Sequence, residues 1–194
     1  MKRVALSVAL PLLFALLALA AIIYVTGPGW SVGGGEAGSG PQVPRAPAPP
    51  LGSLAIPVEG VTRAALVNGW RVAPSSRHGH HAIDIPAPVG TPVLAAADGR
   101  IEKLNDGESS GTAIYERSRD GGTIYVYAHL DHYAPALSEG QAVHAGQVIA
   151  AVGVSGDAEA APPHLHFEVH RMAPGEAWWQ GRGVNPYPLL KGAG

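Results

Sequence analysis

The chain has 194 residues, with 13 lysines and arginines against 15 aspartates and glutamates, which gives a formal net charge of −2. That length allows one domain of ordinary size, and the balanced charge without a basic run excludes a nucleic-acid binder, which needs dense positive charge to contact phosphates. The lack of cysteine excludes disulfides, thiolate nucleophiles and cysteine-ligated zinc.

The first segment, residues 1–26, is apolar and starts with two positive charges. Lys2 and Arg3 precede an uncharged run of 22 residues that ends at Val25, long enough for a bilayer, which takes roughly 20 residues. Two interpretations stay open: a signal peptide cleaved after Ala18-Leu19-Ala20, which would release the protein to the periplasm, and an uncleaved anchor. Because the run continues past that site, we favour a single-pass transmembrane helix in the inner (cytoplasmic) membrane. The remainder then faces the periplasm or exterior.

Residues 27–50 are a predicted linker. Of these 24 residues, 13 are glycine or proline, so no periodic apolar face can form. The first half is predicted to be flexible and the RAPAPP end stiffer and more extended. The segment would therefore act as a tether between the membrane and a folded domain.

Residues 51–190 carry short strand patterns and no long amphipathic helix. TPVLAAADGRIEKL has a turn at Asp98-Gly99, AIYERSRDGGTIYVYAHL has one at Asp120-Gly121-Gly122, and QVIAAVG and LHFEVH are further short strands. Many short strands with tight turns predict a mainly β fold, an antiparallel β-sandwich or partly open barrel.

All nine histidines lie between residues 78 and 170, although surface usage alone would scatter them. In the segment from His164 to His170, alternation puts Leu165, Phe167 and Val169 on one face and the polar residues on the other. His164 and His166 would stand about 6.6 Å apart, so that one can bind a metal while the other reaches its water or substrate. Taken alone, the pair is better interpreted as solvated surface histidines, and the metal interpretation needs partner ligands elsewhere in the chain.

Two other segments offer partners. His80 and Asp84 precede and enter an apolar strand, and four extended residues span about 13 Å, so His80 must curl back to share an ion with Asp84. A bend at Gly79 permits this, and a polar loop with no ligand is the alternative. His129 ends a β pattern and, by itself, fits an exposed strand-end residue.

Together these segments resemble the zinc endopeptidases of the lysostaphin/LytM type, which cut peptide cross-links in bacterial peptidoglycan. The family's HxGxD motif is matched from His80 to Asp84, its HxH motif by His164-Leu165-His166 within PHLHFE, and its Y-x-HL segment by Tyr127 to Leu130. The resemblance implies a groove that holds Zn²⁺ through His80, Asp84 and His166. It also implies that His129 and His164 act on the bound water and the scissile carbonyl.

The implied function is a zinc metalloendopeptidase acting on peptidoglycan stem peptides and their cross-links, with a D,D-endopeptidase favoured. The alternative is a non-enzymatic relative that binds and activates a cell-wall amidase. Ala82 and Ala128 stand where the family usually has glycine, and Ala161-Pro162-Pro163 replaces its usual Gly-Pro turn. These changes remove no chemical group, but they alter the expected path of the groove wall before His164.

No glutamate stands at a HExxH spacing, so proton transfer falls to histidine, and the division of roles between His129 and His164 stays open. The remaining candidates have weaker claims. His78 and His81 are rivals of His80, and Glu168 is either a residue that orients a ligand or a solvated carboxylate. We expect surface or supporting roles for His132, His144 and His170, and a domain-capping or groove-lining role for Trp178-Trp179.

Overall fold

The computed structural model describes residues 54–71 and 80–192, which form nine strands, one short α-helix and two 3-10 turns. The 3-10 turns are Arg63–Ala65 and Gly156–Ala158. The strands and helix are β1 (Ile83–Pro86), β2 (Pro92–Leu94), β3 (Gly99–Gly107), β4 (Gly111–Ser118), β5 (Thr123–Tyr133), β6 (Ala142–Val143), β7 (Val148–Val152), β8 (His164–Arg171), β9 (Arg182–Val184) and α1 (Pro186–Lys191).

The predicted transmembrane segment 1–26 and linker 27–50 lie outside the described residues, as does the predicted start of the domain at residue 51. Within the two described ranges, no helix has both the length and the apolar character needed to span a membrane.

The strands form one open sheet in the order β1-β8-β5-β4-β3-β6, and every pairing is antiparallel. The predicted antiparallel, mainly β fold is confirmed. The described strands do not make the two separately bonded sheets of a sandwich, because β5 is long enough to have two partners on one edge. Residues 123–128 of β5 pair with β8, and residues 130–133 pair with β7, which in turn pairs with β2.

Both predicted turns connect strands, but only one closes a hairpin. The turn at Asp120-Gly121-Gly122 joins β4 to β5, which pair directly. The turn at Asp98-Gly99 joins β2 to β3, which pair with other strands. The Asp98 carboxylate accepts hydrogen bonds from the Ala145 backbone N–H at 3.0 Å and from Arg119 at 3.0 Å, so it fixes a corner between two parts of the sheet.

The core lies against one face of β1, β8 and β5. Ile83, Phe167 and Tyr127 are in register across these three strands, and all are fully buried. The ribbon of β2 and β7 and residues 54–66 cover this face, and Ala96 donates its backbone N–H to the Tyr127 hydroxyl at 2.7 Å. Burial of each such large side chain contributes about 1.5–3 kcal/mol. The opposite face of the same three strands stays available for polar residues.

One carboxyl group lies in this core. Glu116 is completely buried on β4 and accepts a hydrogen bond from the Tyr127 hydroxyl at 2.5 Å. Burial raises the pKa of Glu116 from 4.5 to about 8, against the smaller lowering effect of the hydrogen bond from Tyr127. Glu116 therefore stays protonated in the folded protein at pH values where the unfolded chain has released the proton.

We expect the native protein to lose stability as pH rises, and we expect Glu116→Gln not to show this loss. Between about pH 4.5 and 8 the folded state binds more protons at this position than the unfolded state, so the free energy of unfolding falls as pH rises. Urea unfolding midpoints at pH 5 and pH 8 measure the effect. Glu59→Gln, a substitution of an exposed glutamate, is the control. An identical pH dependence of the native protein and Glu116→Gln would contradict the assignment.

Candidate active site

The polar face of the sheet brings residues of distant segments together. Asp84 of β1 pairs with His166 of β8, and His166 pairs with Ala128 of β5, so their side chains share the face opposite the core. The burial of β8 alternates as predicted, with Leu165, Phe167 and Val169 buried. Ala128 lies between the polar groups, and its small side chain leaves space above the sheet.

His80 joins this face from the loop before β1. Its backbone carbonyl accepts from the Arg71 N–H at 3.0 Å, and its Nδ1 donates to the Gly69 carbonyl at 3.1 Å. Nε2 then lies 3.1 Å from one Asp84 oxygen and 3.2 Å from the other. His80 therefore bends back towards Asp84, as sharing an ion requires. The segment around Gly69 holds this bend, and the sequence pattern did not single that segment out.

The rival histidines are placed elsewhere. His81 is exposed and stacks on Trp70 with ring centroids 5.2 Å apart. His78 lies outside the described residues. His132 and His144 are exposed beside Asp131 and Asp98.

One atom each from His80, Asp84 and His166 lies within 4.8 Å of the other two, a grouping that could hold a metal ion. His166 Nδ1 is 3.1 Å from Asp84 Oδ1. Burial would raise the pKa of Asp84, but the hydrogen bond to His166 and the charges of the neighbouring histidines outweigh it, and the pKa is lowered. Asp84 is therefore a carboxylate at neutral pH, as a metal ligand must be.

Glu168 orients His166 from the side away from Asp84. Its Oε1 accepts from His166 Nε2 at 2.9 Å, and its Oε2 lies 2.5 Å from His170 Nε2. Burial would raise the pKa of Glu168, but the two histidine hydrogen bonds lower it to about 2. A carboxylate only accepts, so His166 donates from Nε2 to Glu168 and from Nδ1 to Asp84, and Nδ1 would give up its proton on binding a metal ion.

The pKa of His166 is correspondingly high. Burial would lower it, but the hydrogen bonds and charges of Asp84 and Glu168 raise it to about 9. Two carboxylates thus stabilise a positive charge at this imidazole. A metal cation ligated by Nδ1 would meet the same two negative charges in place of the proton.

We expect Glu168→Ala to weaken metal binding by roughly 10- to 100-fold, the range for losing a group that orients a ligand histidine. Glu168→Gln keeps an acceptor for His166 Nε2 but not the charge, so its effect should be smaller. Competition with a chelating dye measures the metal affinity. Glu59→Ala, a substitution of an exposed glutamate, serves as control. Unchanged affinity in Glu168→Ala would show that Glu168 has no orienting role.

His129 lies beside this group in an uncommon backbone conformation. Its φ is 61°, a left-handed value that non-glycine residues seldom adopt and that often marks a functional constraint. Hydrogen bonds hold both the backbone and the ring of His129. The backbone N–H donates to the Ser110 carbonyl and Nδ1 donates to the Ser155 carbonyl, both at 2.9 Å. Neither serine was singled out from the sequence.

The bond to Ser155 leaves His129 Nε2 without a proton in the neutral imidazole. Nε2 lies 3.7 Å from Asp157 Oδ1, and the His129 ring is 5.2 Å from the His164 ring and 5.3 Å from the His166 ring. Burial lowers the pKa of His129, with the charges of His166 and His164 adding to this against the bond to Ser155. His129 is thus a neutral proton acceptor at pH 7.

His164 completes the set. Its Nδ1 donates to the Pro162 carbonyl at 2.8 Å, so the altered Ala161-Pro162-Pro163 segment supplies the acceptor that fixes this ring. Nε2 points inward, 3.8 Å from Asp84 Oδ1. The structure thus brings together all five residues singled out for metal binding and catalysis, and their individual roles stay predictions.

The chain is similar in sequence to proteins of one described family. The model of a family described as Peptidase family M23 matches residues 78–186. An L-Ala–D-Glu endopeptidase of Bacillus subtilis is 32% identical over 148 residues, 73% of this chain and 44% of the relative. Peptidoglycan DD-endopeptidase ShyC of Vibrio cholerae is 35% identical over 89 residues, 46% of this chain and 19% of the relative. The chain thus spans less than half the length of these two relatives.

The chain also superposes on solved structures. The catalytic domain of lysostaphin from Staphylococcus simulans superposes with a TM-score of 0.54 and 28% identity, covering 64% of this chain and 89% of that domain. Helicobacter pylori Csd3 superposes with a TM-score of 0.56 and 25% identity, covering 73% of this chain and 34% of Csd3.

Proposed function

Because the chain belongs to peptidase family M23, we propose that it is a zinc-dependent endopeptidase that hydrolyses peptide cross-links of bacterial peptidoglycan. The family resemblance drawn from three sequence motifs is thereby confirmed. The single observation that carries the proposal is the convergence of His80, Asp84 and His166 beside two further histidines whose inward nitrogens are fixed by backbone carbonyls.

The donor set fits a catalytic zinc ion. Two imidazoles and one carboxylate are a donor set typical of catalytic zinc sites, whereas a structural zinc site has a fourth protein ligand. His80 would use Nε2 and His166 would use Nδ1, since their other nitrogens are tied to Gly69 and Glu168. A zinc ion bound here would lower the pKa of a water molecule to about 7 and polarise the peptide carbonyl.

His129 is the proposed general base. It is neutral at pH 7, its Nδ1 proton is held by the Ser155 carbonyl, and Nε2 offers a lone pair. Proton transfer by a positioned group of this kind contributes about 10²- to 10⁴-fold to the rate. Asp157 lies 3.7 Å from Nε2 and would stabilise the imidazolium that forms when the proton arrives.

His164 is the proposed oxyanion donor. Its ring is fixed by the Pro162 carbonyl, and Nε2 faces the site beside the Asp84 carboxylate. Because Nδ1 donates to the Pro162 carbonyl, Nε2 carries a proton only in the imidazolium form, and in that form it can donate a hydrogen bond to the negative charge that develops on the carbonyl oxygen. The two histidines thus divide the roles that the sequence left open.

Within this function we propose the D,D-endopeptidase type. Relatives named as DD-endopeptidase or DD-carboxypeptidase/endopeptidase, from Vibrio and Neisseria, support it, although other relatives are named for other bonds. Digestion of purified peptidoglycan, followed by identification of the new termini by mass spectrometry, tests both levels. New D-alanyl termini are the expected result, and no new termini from a zinc-loaded protein would contradict an enzymatic function.

We further propose that residues 1–26 anchor the protein in the inner membrane and that the catalytic domain works outside it. The uncharged run to Val25 and the charges of Lys2 and Arg3 support this topology. We expect the full-length protein to stay in the membrane fraction after an alkaline carbonate wash. Recovery of a soluble envelope protein that starts at Ala21 would show instead that a signal peptide is cleaved.

A further inference from the structure

An aromatic cluster lies on the polar face of the sheet, beyond the candidate active site. Tyr115 of β4 packs against Trp178 with ring centroids 4.4 Å apart, and Trp178 packs edge-on against Trp179 at 5.3 Å. Trp179 is 67% exposed. We call these three residues the aromatic platform. The outermost indole, Trp179, therefore presents most of its surface to solvent.

The aromatic platform is continuous with the candidate active site. Tyr115 pairs with Val126, and Val126 pairs with Glu168, the residue that bonds to His166. The charge of Glu168 contributes, after burial, to the raised pKa of Tyr115. Two strand spacings and two residues along β8 place Tyr115 about 12 Å from His166. The platform thus forms the far end of the surface that carries the candidate ligands.

The segment that carries the two tryptophans is held in place by hydrogen bonds. Arg117 donates to the Glu176 carbonyl at 3.1 Å and so ties the segment to β4. The Glu176 side chain accepts from the Ala173 N–H at 2.7 Å, and the Gln180 side chain accepts from the Ala177 N–H at 2.8 Å. Two consecutive turns therefore hold the backbone of this segment in place before any ligand arrives, which reduces the entropy cost of binding.

We propose that the aromatic platform binds a sugar ring of the glycan strand to which the substrate peptide is attached; this rests on the proposed function. The apolar C–H face of a pyranose packs on the electron-rich face of an indole. A peptide of about four residues covers about 13 Å when extended. That length matches the separation between His166 and Tyr115, the inner end of the platform, so a peptide held at the candidate ligands would bring its sugar to the platform.

Kinetics on two matched substrates test the proposal. The first is a cross-linked muropeptide dimer that carries its disaccharides, and the second is the same dimer after an amidase has removed the sugars. We expect Trp179→Ala to raise KM for the first substrate by about 3- to 10-fold, the range for losing one stacking contact, with kcat unchanged. KM for the sugar-free dimer should not change. Trp179→Tyr should restore most of the binding, and Val148→Ala, which alters another exposed apolar residue, is the control.

A binding measurement separates this proposal from the proposed function. Titration of the full-length chain with an N-acetylglucosamine tetramer should change the intrinsic tryptophan fluorescence, and Trp179→Ala should abolish that change. If neither dimer is cleaved by the native protein, the proposed function fails, while the titration still decides the role of the platform. An equal rise in KM for both dimers, or a titration without any fluorescence change, would overturn the sugar-binding role.

Discussion

Replacement of His166 by alanine is expected to remove stoichiometric zinc from the protein and to reduce cross-link cleavage to background. His166 supplies one of only three protein donors in the group, and its Nδ1 lies 3.1 Å from Asp84. Loss of a direct ligand should weaken binding by more than the roughly 10- to 100-fold expected for a residue that only orients a ligand. Elemental analysis after mild chelation, together with turnover on purified peptidoglycan, measures both effects.

His80→Ala and Asp84→Asn should behave in the same way, because each removes one of the three donor atoms. His132→Ala is the matched control, since His132 is an exposed histidine of the same strand as His129 but contacts Asp131 instead. That variant should keep both zinc and activity. Full zinc content in His80→Ala and His166→Ala would show that the ligands are wrongly assigned.

The pattern of β8 could be predicted from sequence because it depends on neighbours only. Alternation requires His164 and His166 to share a face once Leu165 and Phe167 are buried, and the structure has this arrangement. The pairing that sets Asp84 against His166 joins residues 82 positions apart. Such a register depends on how the whole sheet closes its core, and no local pattern specifies it.

The atoms that fix the imidazoles could not be predicted for a related reason. Gly69, Ser155 and Pro162 contribute backbone carbonyls, and every residue type has a carbonyl, so the sequence gives no sign of which ones are used. The left-handed φ of His129 is hidden in the same way, because non-glycine residues seldom adopt it.

Alternation of buried and exposed residues places Glu116 on the core face but does not predict a buried carboxyl group there. It shares the core face of the sheet with its register partner Tyr125. A charged residue type at such a position normally indicates solvent. Its burial is explained only by the Tyr127 hydroxyl from the adjacent strand.

Replacement of His129 or His164 by alanine is expected to leave zinc in place and to lower turnover by roughly 10²- to 10⁴-fold, the contribution of a positioned acid or base. Neither residue belongs to the group of three candidate ligands, and both rings are fixed by backbone carbonyls with Nε2 directed inward. Measurement of kcat and zinc content on the same preparations separates loss of catalysis from loss of metal. His144→Ala, an exposed histidine beside Asp98, is the control.

The two variants should also differ from each other. If His129 accepts the proton, an added small base such as imidazole should restore part of the activity of His129→Ala, because it can fill the space and take the proton. The same addition should not rescue His164→Ala, whose proposed role is to donate a hydrogen bond in a fixed direction. Near-normal cleavage by His164→Ala, or rescue of His164→Ala alone, would overturn this division of roles between the two histidines.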